Sequence, residues 1–149
     1  MPPKESKKNR KDMREKEEIN NSFNNLLSIM EKLRDKKDGC EWCNEQTSKT
    51  IADYAQEEAR EVIEAIDEGD NSKICEELGD LLFQVVFHSQ IKSEENAFTI
   101  KDVINSINKK MIRRNPHVFD NEIKKKFSKK EIEDNWQKIK FEENLSNKN

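Results

Sequence analysis

Hydrophobic residues recur along the chain at the three- and four-residue spacing of amphipathic helices. The first such stripe predicts a helix from about residue 19 that ends before residues 36–39, where Gly39 can terminate it; its members are Ile19, Phe23, Leu26, Leu27, Met30 and Leu33. The next two stripes predict helices from about Ser48 to Glu68 and from about Ser72 to Ser93. Gly69 can end the first of these two helices and Asp70 can cap the second, so we expect them to pack as an antiparallel pair.

Two further helices are indicated by their start signals. The S/T-x-x-D/E spacing of a capping box occurs twice, as Thr99 with Asp102 and as Ser128 with Glu131. Pro116 breaks the chain just after the first of these helices. The chain has only three Gly and three Pro among 149 residues, too few for the turns of a β-sandwich or barrel. The sequence therefore predicts an all-α fold, a bundle of about five helices.

The two ends of the chain lack this hydrophobic periodicity. Residues 1–18 alternate basic and acidic side chains and predict a disordered charged arm, and residues 143–149 are expected to form a disordered tail. Because acidic residues are mixed into the arm, a solvated tail is favoured and no specific nucleic-acid partner is expected. A chain of 149 residues fits one folded domain, which we place at residues 19–142.

We expect a cytoplasmic protein with reduced thiols. No run of 18 apolar residues could cross a membrane, and the N-terminal segment has no apolar stretch after its charges that could act as a secretory signal. Three cysteines, an odd number, fit reduced thiols better than a disulfide framework. Cys40 and Cys43 have the spacing of a zinc or redox pair, but no second Cys/His pair accompanies them, so we interpret the spacing as coincidental.

A polar stripe runs along the helix predicted at 72–93, which is otherwise apolar around most of its circumference and so expected to be buried on nearly all sides. The stripe consists of Glu77, Asp80, Gln84 and His88. A buried carboxylate without a partner costs several kcal/mol, and two of them one turn apart also repel each other. Glu77 and Asp80 therefore require a positive charge close by.

The preceding helix carries a matching acidic pair. Glu58 and Glu61 lie one turn apart on the flank of its apolar stripe, and antiparallel packing would let both face the acids of the next helix. Four carboxylates around one point are ligands for a hard divalent cation, with Mg²⁺ as the first choice and Mn²⁺ as the second. A di-iron site fits less well, because neither Glu58 nor Glu77 is followed by His three residues later.

Charge is distributed unevenly along the chain, although its formal net value is only −3. Residues 57–80 hold ten acids against Arg60 and Lys73, so nearby basic residues cannot neutralise them. Residues 101–130 hold ten Lys or Arg against three acids. An acidic metal site beside a basic segment suits a phosphorylated substrate, and the sharpest candidates for contacts to it are Lys110, Arg113 and Arg114.

The acidic segment resembles the E-E-x-x-E, spacer, E-x-x-D signature of the MazG-type nucleoside triphosphate pyrophosphohydrolases, since it reads Glu57-Glu58-Ala-Arg-Glu61 and then Glu76-Glu77-Leu-Gly-Asp80. Further motifs extend the resemblance over about residues 20–142: Cys40-x-Trp42 with Gln46-Thr47, the run from Gly79 to His88, the run from Arg113 to Phe119, and Asn135-Trp136-x-x-Ile-Lys140. Two positions depart from the family pattern. The chain has Cys-Glu-Trp-Cys for the usual Cys-Pro-Trp-Asp and Asn-Pro-His for His-Pro-His, outside the four carboxylates in both cases.

The resemblance implies an all-α fold completed by subunit pairing, as a homodimer or higher homo-oligomer. It also implies Mg²⁺-dependent hydrolysis of a (deoxy)nucleoside triphosphate between the α and β phosphates, giving the monophosphate and pyrophosphate. The positions that match the family's metal ligands are Glu58, Glu61, Glu77 and Asp80. The positions that match its basic and activity-linked residues are Lys110, Arg113, Arg114, Trp136 and Lys140.

The sequence leaves alternatives open. The general base could be Glu57 or a member of the four carboxylates that does not bind the metal. Trp42 could stack on a nucleobase or pack in the core. The alternative functions are a related all-α pyrophosphohydrolase, such as a dimeric dUTPase or a phosphoribosyl-ATP pyrophosphohydrolase, and a non-catalytic helical interaction protein. The run from Arg113 to Phe119 favours the MazG type, and a polar stripe inside an apolar helix disfavours a binding scaffold.

Overall fold

The computed structural model describes residues 7–148, and within that range it contains helices and no strand. This confirms the all-α fold class. The helices in chain order are α1 (Lys7–Leu33), α2 (Glu41–Glu45), α3 (Ser48–Glu68), α4 (Asn71–Glu94), α5 (Ile100–Arg114), α6 (Pro116–Phe119) and α7 (Lys129–Asn147). The five long helices correspond to the predicted ones. Helices α2 and α6 are short additions, and α6 begins at Pro116, where we predicted a chain break. The chain divides after Phe98 into two units, one with α1–α4 and one with α5–α7.

The described chain is helical farther toward both ends than we expected. Helix α1 begins at Lys7, so residues 7–18 are exposed helix where we predicted a disordered arm; residues 1–6 of that arm lie outside the described residues. Helix α7 extends to Asn147, so residues 143–147 of the predicted tail are helical as well. Lys, Arg and Glu are good helix formers, so a charged segment can continue a helix without an apolar stripe.

Capping residues set the ends of the α3/α4 hairpin. Thr47 and Thr50 form a capping box at the start of α3, in which each hydroxyl oxygen accepts a hydrogen bond from the other residue's backbone N–H. Helix α3 ends at Gly69, whose φ of 73° lies in the left-handed region that glycine adopts without strain. Asp70 then accepts hydrogen bonds from the backbone N–H groups of Ser72 and Lys73, in the first turn of α4. The two helices therefore follow each other through a short turn, as predicted.

The core of the N-terminal unit is small. Its buried hydrophobic residues are Met30, Cys43, Ile51, Val62, Ala65, Val86, Phe87 and Ile91. Our expectation that α4 is buried on nearly all sides is wrong, because Leu78, Leu82 and Val85 are 49%, 42% and 39% exposed. Within the unit, α4 packs against α3 and α1, and this packing leaves all three residues partly exposed.

The C-terminal unit has no fully buried residue among those described. Helix α5 begins at the predicted capping box, where Asp102 accepts a hydrogen bond from the backbone N–H of Thr99, and it packs against α6 and α7. Ser128 caps α7 by accepting a hydrogen bond from the backbone N–H of Glu131. In neither unit does the described part of the chain contain a helix long and apolar enough to cross a membrane.

Candidate metal centre

Four carboxylates lie together on the α3/α4 hairpin. One oxygen from each lies within 4.8 Å of the corresponding oxygens of the other three; the residues are Glu58, Glu61, Glu77 and Asp80. Three of them are half-buried, and Asp80 is exposed. The structure thus brings together the four residues that the sequence analysis predicted as metal ligands, and we call them the carboxylate cluster.

The hairpin turn determines which carboxylates face each other. Glu61 and Glu77 lie at similar distances from the turn, on opposite helices, and Glu58 and Asp80 each lie one turn farther out. In antiparallel packing, residues equally far from the turn lie side by side. One carboxylate oxygen of Glu61 and one of Glu77 lie within 4.8 Å of each other, which agrees with this register. The spacing of the four residues along the sequence is therefore what produces the cluster.

Burial and like charge both favour protonation of the cluster. Burial first, and then the neighbouring carboxyl group of Glu61, raise the pKa of Glu58 from an ordinary 4.5 to about 7. The pKa of Glu77 is also raised, by burial first and then by Glu61. Without a cation, part of the charge of the cluster is therefore neutralised by bound protons near neutral pH.

The donor set fits a hard divalent cation. Oε2 of Glu58 and Oε2 of Glu77 are shielded from solvent and have no hydrogen-bond partner, which is costly for carboxylate oxygens. A cation would satisfy both oxygens and relieve the repulsion within the cluster. Ligands on opposite sides of Mg²⁺ lie about 4.2 Å apart, and the oxygens of the cluster lie within 4.8 Å of one another, so small side-chain movements would let them share an ion. All its donors are oxygens, which favours Mg²⁺ or Mn²⁺ over a soft metal.

Glu57 and His88 lie outside the carboxylate cluster. Glu57 is exposed and lines a separate cavity of about 540 Å³ with Asp53 and Arg60. Its charge nevertheless contributes to the raised pKa of Glu58. His88, the last residue of the polar stripe on α4, is half-buried, and burial lowers its pKa.

A cavity of about 290 Å³ adjoins the carboxylate cluster, and we call it the aromatic cavity. Glu58 and Asp80 form part of its wall, and the other lining residues are Trp42, Ile51, Tyr54, Phe83, Gln84 and Phe87. Trp42 lines this cavity and is 50% exposed, so it is not a core residue. A cavity of this size lies at the lower end of small-molecule sites. It can hold an organic group next to a cation bound by the cluster.

Arg34, which the sequence analysis missed, holds the segment that carries Trp42. Its guanidinium donates hydrogen bonds to the backbone carbonyl oxygens of Cys43 and Gln46. It also forms a two-point ion pair with Glu94 at the end of α4, with donor–acceptor distances of 2.8 and 3.0 Å. Its side chain is only 8% exposed. A planar guanidinium can donate in all these directions at once, but its partners are 9 to 60 residues away, so spacing did not indicate this role.

The predicted basic contacts lie in the C-terminal unit. Lys110, Arg113 and Arg114 line a cavity of about 680 Å³ together with Glu143. Glu143 accepts hydrogen bonds from Nε of Arg113 at 2.5 Å and from a terminal nitrogen of Arg114 at 2.8 Å. Arg114 first, and then Arg113, lower the pKa of Glu143 to about 2. No local sequence pattern indicates Glu143, which falls at the start of the predicted tail.

Trp136 and Lys140, the predicted C-terminal pair, lie on α7. The guanidinium carbon of Arg114 is 5.2 Å from the centre of the Trp136 ring, which is a cation–π contact. Trp136 therefore helps to orient Arg114, and Glu143 holds the same guanidinium from α7 as well. Lys140 is exposed to solvent.

A helical hairpin that gathers four carboxylates around one point, with a cavity beside them, is an arrangement with which all-α proteins can hold a divalent cation. Residues 46–119 match the MazG nucleotide pyrophosphohydrolase domain. This segment includes helices α3 to α6 and all members of the carboxylate cluster. The chain belongs to the MazG family, which is a family of metal-dependent enzymes.

Individual relatives agree with this assignment. The chain is 57% identical over 97 residues to the nucleoside triphosphate pyrophosphohydrolase/pyrophosphatase MazG of Thermotoga maritima, covering 65% of this chain and 38% of the relative. It is 46% identical over 123 residues to the nucleoside triphosphate pyrophosphohydrolase of Escherichia coli K12, covering 83% of this chain and 46% of the relative. The chain therefore spans less than half the length of either of these relatives.

A solved structure shares the fold. The crystal structure of a mazG-related protein from Thermotoga maritima matches with a TM-score of 0.64 and 26% sequence identity. The match covers 78% of this chain and 97% of that protein.

Proposed function

We propose that this chain hydrolyses (deoxy)nucleoside triphosphates to the monophosphate and pyrophosphate, with Mg²⁺ as the cation and Mn²⁺ as a substitute. The observation that carries the proposal is the carboxylate cluster, with its unpartnered oxygens on Glu58 and Glu77, inside a MazG domain. The names of the curated relatives support the same activity. An all-oxygen donor set supports Mg²⁺ among the divalent cations.

In this reaction the oxygen of a water molecule attacks the α phosphorus, the bond between that phosphorus and the bridging oxygen breaks, and pyrophosphate leaves. Mg²⁺ held by the cluster would lower the pKa of the water and neutralise the phosphate oxygens. We assign the general base to a member of the cluster rather than to Glu57, because Glu57 is exposed and lies outside the cluster.

The basic residues of the C-terminal unit are proposed to neutralise the triphosphate. Lys110, Arg113 and Arg114 line one cavity, and planar guanidinium groups suit two-point contacts to phosphate oxygens. Glu143 and Trp136 position Arg114 through the ion pair and the ring contact. Lys140, exposed on the same helix, adds a further positive charge.

Substitutions in the cluster test the metal assignment. Glu61→Gln or Asp80→Asn should abolish Mg²⁺-dependent pyrophosphate release while the helical CD signal remains. Glu64→Gln is the matched control, because Glu64 lies on the same helix but is exposed and outside the cluster. Near-normal turnover in either cluster variant would refute the assignment.

The products and the substrate range separate this proposal from its alternatives. With Mg²⁺ and a panel of (deoxy)nucleoside triphosphates, we expect a monophosphate and pyrophosphate rather than a diphosphate and phosphate. Cleavage confined to dUTP would favour a dUTPase-like enzyme. A non-catalytic interaction protein should bind neither Mg²⁺ nor a non-hydrolysable triphosphate in isothermal titration.

We propose that the chain functions as a homodimer or a higher homo-oligomer. Large hydrophobic residues are exposed on both helices of the hairpin: Ile63 and Ile66 on α3, and Leu78, Leu82 and Val85 on α4. A unit with so small a core gains stability if a second copy covers these residues. Light scattering should give at least twice the chain mass, and Leu78→Glu should reduce it to the mass of one chain.

The predicted cytoplasmic location and the predicted catalytic range, residues 19–142, belong to the same proposal. All three cysteines are free thiols, which is in keeping with a reducing compartment. A fragment of residues 19–147 should retain pyrophosphate release, whereas one that ends at residue 142 lacks Glu143 and should lose part of it, because Arg114 then has no ion-pair partner; CD checks that both fragments fold.

A further inference from the structure

Gln84 contributes the carboxamide in the wall of the aromatic cavity. It lies on α4, one turn after Asp80, and is 9% exposed. Its Oε1 atom is shielded from solvent and has no hydrogen-bond partner. A buried carboxamide oxygen that lacks a partner is costly, so a ligand that donates a hydrogen bond to it gains affinity.

The other walls of the cavity suit a flat ring. The Trp42 ring centre lies 6.3 Å from that of Tyr54, at an interplanar angle of 62°, and 6.4 Å from that of Phe87, at 83°. Trp42 and Tyr54 are 50% and 39% exposed, so each keeps ring surface available for stacking. Stacking on aromatic side chains binds every nucleobase and does not distinguish strongly among them.

The same cavity reaches the carboxylate cluster, since Glu58 and Asp80 are part of its wall. A nucleotide whose phosphates lie at the cluster can therefore place its base in the aromatic cavity, beside Gln84. A carboxamide carries an acceptor and donors side by side, which matches the hydrogen-bonding edge of a nucleobase.

We propose that Gln84 determines which nucleobases the aromatic cavity accepts, with its Oε1 accepting a hydrogen bond from an N–H group on the edge of the base. This inference rests on the proposed function for the triphosphate, but it concerns a different contact. Gln84 is a specificity residue here and takes no part in breaking the phosphate bond. A base that lacks the N–H donor leaves Oε1 unpaired in the complex and binds more weakly.

Matched pairs of nucleotides isolate this contact. Purine riboside triphosphate is ATP without the N6 amino group, and 2-pyrimidinone riboside triphosphate is CTP without the N4 amino group. Dissociation constants are measured by isothermal titration with Mg²⁺ and the non-hydrolysable α,β-methylene forms, so the readout does not depend on turnover. We expect the wild-type chain to bind the amino-bearing nucleotide about tenfold more tightly in at least one pair.

Gln84→Met replaces the carboxamide by an apolar side chain of similar length and should reduce that ratio to less than about twofold. Gln90→Met is the matched control on the same helix, outside the lining of the cavity, and should leave the ratio unchanged. Gln84→Glu keeps an acceptor at the same place and adds negative charge near the cluster. It should weaken the binding of both nucleotides of a pair to the same extent, so the ratio of their dissociation constants should remain as in wild type.

A wild-type ratio near one in both pairs, or a ratio that Gln84→Met leaves unchanged, would overturn the inference. Pyrophosphate release from ATP and CTP is measured in parallel. If pyrophosphate is released but nucleotide binding does not depend on Gln84, this inference is contradicted and the proposed function stands. Nucleotide binding that depends on Gln84 without release contradicts the proposed function alone, and a chain that binds no nucleotide contradicts both.

Discussion

Mg²⁺ binding by the carboxylate cluster should depend on pH around neutrality. The pKa of Glu58 is raised to about 7, so its bound proton competes with the cation. A carboxyl with this pKa is protonated in about 90% of molecules at pH 6 and in about 10% at pH 8. Glu58 alone should therefore make the apparent association constant for Mg²⁺ about tenfold larger at pH 8 than at pH 6.

The displaced proton can be counted. Isothermal titration of Mg²⁺ in two buffers with different ionisation enthalpies should detect the release of about 0.9 proton at pH 6, 0.5 at pH 7 and 0.1 at pH 8 from Glu58. Glu77, whose pKa is also raised, adds to the release at the acidic end. An association constant that does not change between pH 6 and pH 8, with no proton released, would refute this reasoning.

The stability of the metal-free chain should also depend on protonation of Glu58, but it should fall as the pH rises, whereas the affinity for Mg²⁺ increases. A carboxyl whose pKa is raised by folding stabilises the folded chain at low pH, and this stabilisation is lost as the pH rises from 4.5 to 7. The melting temperature without metal should therefore fall over that range, and Mg²⁺ should restore it at pH 8. Glu58→Gln should flatten both the stability profile and the affinity profile, whereas Glu64→Gln should leave both unchanged.

Three further predictions concern contacts away from the cluster. Arg34→Ala should lower the free energy of unfolding by about 2–3 kcal/mol in urea titrations, because it leaves Glu94 and two backbone carbonyls without their partner. Lys92→Ala, which breaks an exposed ion pair, should change the free energy of unfolding by less than about 0.5 kcal/mol. Equal effects of the two substitutions would contradict the role of Arg34. Glu143→Gln should lower the melting temperature at pH 7, because it removes the ion pairs with Arg113 and Arg114. The difference from wild type should vanish as the pH falls from 4.5 toward 2, since the stabilisation from a lowered carboxyl pKa is lost on protonation. A difference in melting temperature that does not depend on pH would count against the ion pairs. Iodoacetamide should modify Cys40 faster than Cys43, because a backbone N–H lowers the pKa of the Cys40 thiol while burial raises that of the Cys43 thiol. Peptide mass spectrometry measures the two modification rates. Faster modification of Cys43 would contradict this difference between the two thiols.

The fold class and the carboxylate cluster could be predicted because both depend on local geometry. Helical periodicity reports which residues share a face, and the short turn at Gly69 fixes the register of α3 against α4. Glu58, Glu61, Glu77 and Asp80 therefore had to meet once both helices formed. Periodicity was a poor guide to the helix ends, since residues 7–18 are helical without an apolar stripe.

Contacts between segments far apart in the sequence were decided by tertiary packing. Arg34 reaches Glu94, Arg113 and Arg114 reach Glu143, and Trp42 forms one wall of a cavity with Tyr54 and Gln84. None of these pairs has a characteristic spacing, and each partner taken alone is an ordinary polar or aromatic residue. The sequence by itself thus determined the helices and the carboxylate cluster, because helix geometry acts over a few residues. Only the tertiary structure decided which side chains hold, line and complete the site, because those contacts depend on how whole helices pack.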